Sequence, residues 1–202
     1  EGTNPIAEHP GQPPKVLEDV VVLPYNDLET SEQILKLQKD DLACVLMEPI
    51  ASAFGYLPAT QSFISGIRKI TNELDILLIF DEVQSFRVSP GGAQEMMGVT
   101  PDLTTLGKII GGGMPAGAFG GRADVMALYD PAGGSAPIAH AGTFNANPMT
   151  MLAGAITLES LTPEIYSRLN GLGNILREKL RAVMDELEVS AQVTGVGSLW
   201  GI

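Results

Sequence analysis

Apolar residues along the chain fall into two patterns, short uninterrupted runs and stripes at three- and four-residue spacing. The runs predict β-strands at residues 19–25, 42–47, 76–80, 103–106 and 116–119. The stripes predict α-helices that begin near residue 30 and that cover residues 58–74, 148–161 and 163–187. Because residues 42–47 and 76–80 are almost wholly apolar, we expect these two strands to be buried on both faces.

Strands and helices alternate in this pattern, which is typical of an α/β fold with a mostly parallel sheet and helices on both faces. Residues 1–18, 88–101 and 130–148 are rich in Gly and Pro and are predicted to be loops. Ligand sites in such sheets form at the carboxyl ends of the strands. Two of these ends carry acidic residues: Glu48 follows one apolar run, and Asp81-Glu82 follows the next.

Capping residues predict where two of the helices begin. Thr30 and Gln33 have capping-box spacing, and Thr162-Pro163 combines an N-cap residue with proline in the first turn. The helix that follows Pro163 has an apolar stripe, which we expect to be its packed face. The stripe consists of Ile165, Leu169, Leu172, Leu176, Leu180, Val183 and Leu187.

The composition excludes several classes of function. The 202 residues carry a net charge of −12, which disfavours a nucleic-acid partner, because phosphate contacts need clustered Lys and Arg. A single cysteine, Cys44, allows no disulfide within the chain, and no metal site is indicated. The longest clean apolar run, residues 76–80, is too short to span a membrane. We therefore expect a cytoplasmic protein without a membrane or nucleic-acid partner.

Two motifs have both an ordinary and a functional interpretation. Asp81-Glu82 after an apolar run also occurs in ATPases, but the phosphate loop that such an enzyme needs is missing upstream. Asp81 is then either a strand-end cap or an anion that faces a cationic ligand. Lys108 follows a short strand and precedes three glycines; most lysines are surface groups, whereas a desolvated one is a candidate Schiff-base nucleophile.

A third motif, residues 142–148, places Thr143 and two asparagines before a helix. Such a segment suits an anion such as phosphate, and simple capping of the helix explains it equally well. Taken together, the three motifs favour the functional interpretation over the ordinary one. An amine for an aldehyde, a carboxylate for a protonated pyridine nitrogen and donors for a phosphate are what pyridoxal 5'-phosphate (PLP) requires.

The order and spacing of these motifs resemble the class III aminotransferases of PLP fold type I, subgroup II, close to the glutamate-1-semialdehyde 2,1-aminomutase branch. The resemblance extends across essentially the whole chain. It rests on residues 47–50, 80–84, 105–113, 117–121 and 142–148.

The resemblance implies a role for each matching residue. Lys108 would carry PLP as a Schiff base and move a proton between substrate and cofactor. Asp81 would hold the pyridine nitrogen protonated, Val83 would pack on the ring, and Gln84 would bond to its phenolic oxygen. Thr143 would reach the phosphate of the neighbouring subunit's cofactor, which implies a homodimer.

The resemblance also implies a supporting role for Glu48 near the cofactor, and a division of the chain. Residues 1–161 would form part of the large PLP-binding domain, and residues 162–202 an interdomain helix and the start of a small C-terminal domain. The family's upstream phosphate loop has no counterpart here, so we expect a fragment that binds PLP weakly by itself. Tight binding in an absorbance titration of the isolated chain would contradict this.

One position departs from the family pattern. After Glu48-Pro49-Ile50 the chain has Ala53 where the family has a polar side chain. This favours an aminotransferase that moves an amino group between an amino acid, such as a β-amino acid, or an amine and a keto or aldehyde acceptor. The glycine-rich residues 111–121 instead favour the aminomutase, which moves the amino group within one molecule. An inactive remnant is the third alternative.

Overall fold

The computed structural model describes residues 5–7, 9–134 and 136–202. Its strands are β1 (Cys44–Met47), β2 (Ile50–Ala51), β3 (Leu57–Pro58), β4 (Leu77–Asp81), β5 (Leu103–Gly107), β6 (Gly117–Gly121), β7 (Thr194–Val196) and β8 (Leu199–Gly201). Its α-helices are α1 (Pro14–Leu17), α2 (Leu28–Gln38), α3 (Gln61–Glu73), α4 (Gly92–Met97), α5 (Ala123–Met126), α6 (Pro148–Ser160) and α7 (Pro163–Glu186). Short 3₁₀ turns include Ser85–Val88 and Lys108–Gly111.

A four-stranded sheet in the order β1-β4-β5-β6 organises the molecule. β1, β4 and β5 are parallel, and β6 runs antiparallel to β5. The carboxyl ends of the three parallel strands therefore lie at one edge of the sheet, as the sequence predicts. In the register of β4 and β5, Asp81 pairs with Thr105.

Helices α2 and α3 cover one face of this sheet. The core cluster combines side chains of both helices with alternate residues of β4, of which Leu78 and Phe80 are buried. Thr60 caps α3 by accepting a hydrogen bond from the Phe63 amide at 3.3 Å. Burying each such large apolar side chain contributes about 1.5–3 kcal/mol, so this layer stabilises the strands that lead to the site.

Three predictions about residues 19–47 are wrong: the first strand, the burial of β1 on both faces, and the start of a helix at Thr30. Residues 19–25 form no strand; they line an apolar groove beside β1, where the Tyr25 hydroxyl donates to the Glu48 and Pro49 carbonyls at 3.0 Å. β1 itself is an edge strand, and its Leu46 is 62% exposed rather than buried on both faces. The first long helix starts after Asp27, whose carboxylate accepts from the Thr30 amide at 3.0 Å.

The helix after Thr162 begins where the sequence predicts, but it packs through a different face. Its buried residues are Tyr166, Gly173 and Arg177, whereas most of the predicted apolar stripe is exposed, including Leu172 and Val183. The reason is the β7–β8 hairpin, which approaches α7 through its backbone. Arg177 Nη1 donates to the carbonyl of Gly197 at 2.6 Å, and a Cβ on Gly173 would lie 2.1 Å from that oxygen.

Residues 88–101 were predicted to be a loop and instead contain α4. Pro90 and Gly91-Gly92 are typical of a loop, and no local side chain caps the helix. The amides at its N-terminus instead donate to the carboxylate of Glu82, which follows β4. Elsewhere in the fold, none of the helices of the described ranges combines the length and the apolar character that a membrane span requires.

Candidate active site

The ends of the neighbouring strands β4 and β5 carry an acid and an amine. Asp81 ends β4 opposite Thr105, and the Glu82 amide donates to the Thr105 carbonyl at 3.0 Å. The Asp81 carboxylate accepts a hydrogen bond from the Val83 amide at 3.0 Å, which fixes the turn that leaves the strand. Lys108 follows β5 directly, so the fold brings these two predicted residues to adjacent strand ends.

Lys108 occupies a strained and tightly held turn. Its φ is +48°, a conformation that L-residues rarely adopt and that is typical of functional sites. Helix α6 packs closely against this turn. A Cβ atom on Gly112 would lie 2.2 Å from the carbonyl oxygen of Ala153 in α6, and a Cβ atom on Gly154 in α6 would lie 2.1 Å from the carbonyl oxygen of Ile110. The Lys108 side chain is exposed, so the expected desolvation is wrong for this chain.

A cavity of about 610 Å³ opens at Lys108. Its volume lies within the roughly 300–1,000 Å³ of small-molecule sites. The lining residues are Val83, Gln84, Arg87, Lys108, Ile109, Gly113, Met114 and Pro115. Val83 packs against β5 so closely that a Cβ on Gly107 would lie 3.3 Å from it. The cavity thus joins the turn after Asp81 with the turn that carries Lys108.

Glu82, to which the sequence motifs assign no role, holds this arrangement together. Glu82 is completely buried, and its carboxylate accepts hydrogen bonds from Ser85 Oγ at 2.9 Å, from the Ala93 amide at 2.6 Å, and from the Gln94 amide at 2.9 Å. The side chain of Gln94 bridges Glu82 to Thr104 of β5, at 3.2 Å from each. One carboxylate therefore links the turn after β4, the N-terminus of α4 and β5.

Gly92 makes the approach of this carboxylate possible. Its φ is +76°, and a Cβ there would lie 2.6 Å from Glu82 Oε2. The two amides that Glu82 binds belong to the first turn of α4, where a negative charge is favourable. In the sequence, the pair Gly91-Gly92 predicts only a loop, whereas in the structure Gly92 leaves room for the Glu82 carboxylate.

Three predicted site residues, Asp81, Thr143 and Glu48, do not line the cavity. Thr143 is exposed in the segment before α6, and Asn147 caps that helix by accepting from the Met149 amide at 3.0 Å. Glu48 accepts from the Ser52 amide at 3.1 Å and lines the groove beside β1 together with Ala53. The structure therefore brings together Lys108, Val83 and Gln84, with Asp81 on the adjacent strand.

This arrangement has a definite chemical capacity. A primary amine at the cavity can add to a carbonyl compound. The Asp81 carboxylate can hold a positive charge on a neighbouring ring nitrogen, and Val83 offers an apolar surface to a flat ring.

Comparisons with known proteins identify the family. The family model described as aminotransferase class-III matches residues 6–202. Glutamate-1-semialdehyde 2,1-aminomutase 1 of Staphylococcus epidermidis is 44% identical over 197 residues, which cover 97% of this chain and 45% of the relative. Beta-phenylalanine transaminase of Variovorax paradoxus is 47% identical over 182 residues, 90% of this chain and 42% of the relative.

A solved structure described as a transaminase with PLP bound matches the fold, with a TM-score of 0.94 and 38% identity over 99% of this chain and 47% of that chain. This confirms the predicted α/β fold of the PLP-dependent transferases. The chain spans less than half the length of these relatives.

Proposed function

Since the chain belongs to the class-III aminotransferase family, we propose that it is part of a PLP-dependent aminotransferase. Its reaction moves an amino group from an amino acid, such as a β-amino acid, or an amine to a keto or aldehyde acceptor. The single observation that carries this proposal is the strained Lys108, which follows β5 and lines the cavity, with Asp81 at the end of the neighbouring strand β4.

The donor set fits PLP. When bound, PLP supplies an aldehyde that condenses with amines and a ring that withdraws electrons. Lys108 provides the amine, and Asp81 provides the anion for the ring nitrogen. Val83 provides an apolar surface, and the Gln84 amide provides a hydrogen-bond donor for a ring oxygen.

Lys108 has a second task in this proposal, the movement of a proton to and from the substrate carbon. A primary amine can accept and return a proton when it is held within hydrogen-bonding reach of the reacting atom. The glycines after Lys108 and the packing of α6 hold the lysine turn in place. A fixed backbone with a flexible side chain suits a group that must both hold the cofactor and leave it.

Several finer assignments belong to the same proposal. The active unit is a homodimer in which Thr143 reaches the phosphate at the neighbouring subunit's site, which agrees with its exposure in this chain. Glu48 supports the site from the adjacent strand end. Residues 1–161 belong to the PLP-binding domain, and residues 162–202 lead into a smaller domain. The single cysteine fits the reducing cytoplasm, where we place the enzyme.

The aminomutase remains the second candidate function, favoured by the relative that is 44% identical. Ala53, on the groove beside Glu48, argues for the aminotransferase. Product analysis separates the two, because an aminomutase converts its substrate without a second carbonyl compound.

Borohydride reduction tests the proposal. The full-length product of the gene is loaded with PLP, reduced and digested, and its peptides are examined by mass spectrometry. We expect a pyridoxyl group on Lys108, its loss in Lys108→Ala, and its retention in Lys179→Ala, which alters an exposed lysine of α7. A pyridoxyl group on another residue would contradict the assignment of Lys108 as the PLP lysine, and so would the absence of any adduct.

A further inference from the structure

Arg87 is a second cation at the Lys108 cavity. It lies on the 3₁₀ turn Ser85–Val88 and lines the cavity together with Lys108. Its Nε is buried without a hydrogen-bond partner among the described residues. None of the ion pairs formed within the described ranges includes it.

Four other arginines show what the fold normally does with this side chain. Arg68 and Arg122 both bind the Asp102 carboxylate, at 2.8 and 3.1 Å. Arg177 donates to the Gly197 carbonyl at 2.6 Å, and Arg181 to that of Val193 at 2.9 Å. Arg68 also has a buried Nε without a partner, but its Nη atoms are bonded to Asp102 and Asn72. Arg87 makes no hydrogen bond among the described residues, so its guanidinium is available to a ligand.

The charge of the cavity points to an anionic ligand. Arg87 and Lys108 are its charged lining residues, and no carboxylate of a described residue lines it. The cavity is therefore positively charged, although the chain as a whole has a net charge of −12. A cavity that concentrates positive charge in this way attracts anions and disfavours cations.

The backbone of Arg87 is held on both sides. Ser85 is buried and bonded to Glu82 at 2.9 Å, and the Phe86 amide donates to the Glu82 carbonyl at 3.0 Å. On the other side, Val88 is buried and its carbonyl accepts from Asn170 Nδ2 at 2.9 Å. A side chain carried on a fixed turn loses less entropy when it binds a ligand.

We propose that Arg87 binds the carboxylate of the amino substrate and makes the enzyme selective for amino acids over simple amines. A guanidinium pairs with a carboxylate through two parallel hydrogen bonds, which gives both affinity and orientation. The inference rests on the proposed function, because Lys108 must be the reacting amine for a carboxylate at Arg87 to orient the amino carbon. The cofactor phosphate is the other anion that this cavity could hold, and a loss of PLP affinity in an Arg87 variant would assign Arg87 to that phosphate instead.

The test uses the PLP-loaded, full-length product of the gene with Arg87→Ala, Arg87→Lys and, as a matched control, Arg168→Ala on the exposed side of α7. Calorimetry measures the binding of 3-phenylpropanoate, a carboxylate without a reacting amine. Steady-state rates compare 3-amino-3-phenylpropanoate with 1-phenylethylamine, which lacks the carboxylate. An absorbance titration measures the dissociation constant of PLP.

We expect Arg87→Ala to weaken 3-phenylpropanoate binding, and to lower kcat/KM for the carboxylate donor, by about tenfold or more, mainly through KM. Arg87→Lys restores part of the loss, the amine donor and the PLP dissociation constant change by less than about twofold, and Arg168→Ala changes nothing. Equal losses on both donors, a loss of PLP affinity, or no measurable binding of the carboxylate to the unaltered enzyme would each overturn the inference. A pyridoxyl group on Lys108 in the same preparation would leave the proposed function standing.

Discussion

The β4–β5 unit, residues 76–107, and the segment of residues 142–147 contribute to the candidate site in opposite ways. In the β4–β5 unit the carboxylates of Glu82 and Asp102 are buried and bonded to groups of the same chain. In the second segment Thr143 and Asn145 are exposed, and the Phe144 side chain is 81% exposed. The β4–β5 unit is stabilised by contacts within the chain, whereas the side chains of Thr143, Phe144 and Asn145 are exposed to solvent.

This difference decides what a substitution should do. In the β4–β5 unit a change to a polar residue leaves buried partners unsatisfied, so it should alter stability first and the site second. In the segment of residues 142–147, where residues 142–146 are exposed, the same change removes few contacts of the folded chain. Any functional effect there should come from what the segment binds.

Glu82→Ala should cause the largest loss of stability. It leaves Ser85 Oγ and the amides of Ala93 and Gln94 without their acceptor. We expect a loss of about 3–5 kcal/mol in the free energy of unfolding, measured by urea denaturation. Glu186→Ala, which changes an exposed glutamate of α7, should stay within about 0.5 kcal/mol. A loss at Glu82 no larger than the control's would show that α4 does not depend on this carboxylate.

Asp102→Asn should cost less and should change the pH dependence of stability. Burial would by itself raise the pKa of Asp102, but hydrogen bonds from the Leu78 amide, Arg68 and Arg122 outweigh it, so the pKa lies below its usual range. The carboxylate is only 8% exposed, and we expect a loss of about 2 kcal/mol at pH 7.

The sign of the pH effect follows from the lowered pKa. The stability that Asp102 contributes is fully present above its unfolded pKa of about 3.9 and is lost as the pH falls through the folded pKa. Urea denaturation between pH 7 and the acid limit should therefore show a steeper decline below about pH 4 for the unaltered protein than for Asp102→Asn. Parallel curves would contradict this account.

Gly92→Ala should have the next largest effect. The substitution combines a φ of +76° with a Cβ that lies 2.6 Å from Glu82 Oε2, so we expect a loss of about 1–3 kcal/mol. Gly171→Ala is the matched control, because a Cβ at this site in α7 would meet nothing within 4 Å. There the change should stabilise the helix by roughly 0.5–1 kcal/mol in the same denaturation experiment. Equal effects at the two glycines would refute the close approach of Glu82.

Features set by local sequence were predictable. Strands β4 and β5 and the start of the helix at Thr162 lie where the apolar runs and the capping residues place them. The pairing of a strand-end acid with a strand-end lysine followed from the parallel order of the sheet, and the structure places Asp81 and Lys108 accordingly.

Features set by distant contacts were not predictable from local patterns. Helix α4 looks like a loop because its N-terminus is bound by Glu82, ten residues before the helix begins. The packed face of α7 looks polar because it binds the backbone of a hairpin through Arg177. Lys108 was expected to be desolvated, and whether a strand-end lysine is buried depends on neighbours that the local sequence does not specify.

Thr143→Ala should change stability least and gives the sharpest contrast between the two regions. Thr143 is exposed, so its removal should alter the free energy of unfolding by no more than about 0.5 kcal/mol. Thr60→Ala, the same substitution at the residue that caps α3, should cost about 1 kcal/mol, because the Phe63 amide loses its acceptor. If Thr143 reaches a phosphate across a dimer, Thr143→Ala should nevertheless weaken PLP binding in an absorbance titration, while Thr60→Ala should not. A Thr143 variant that loses stability while its PLP affinity is unchanged would reverse the roles assigned to the two regions.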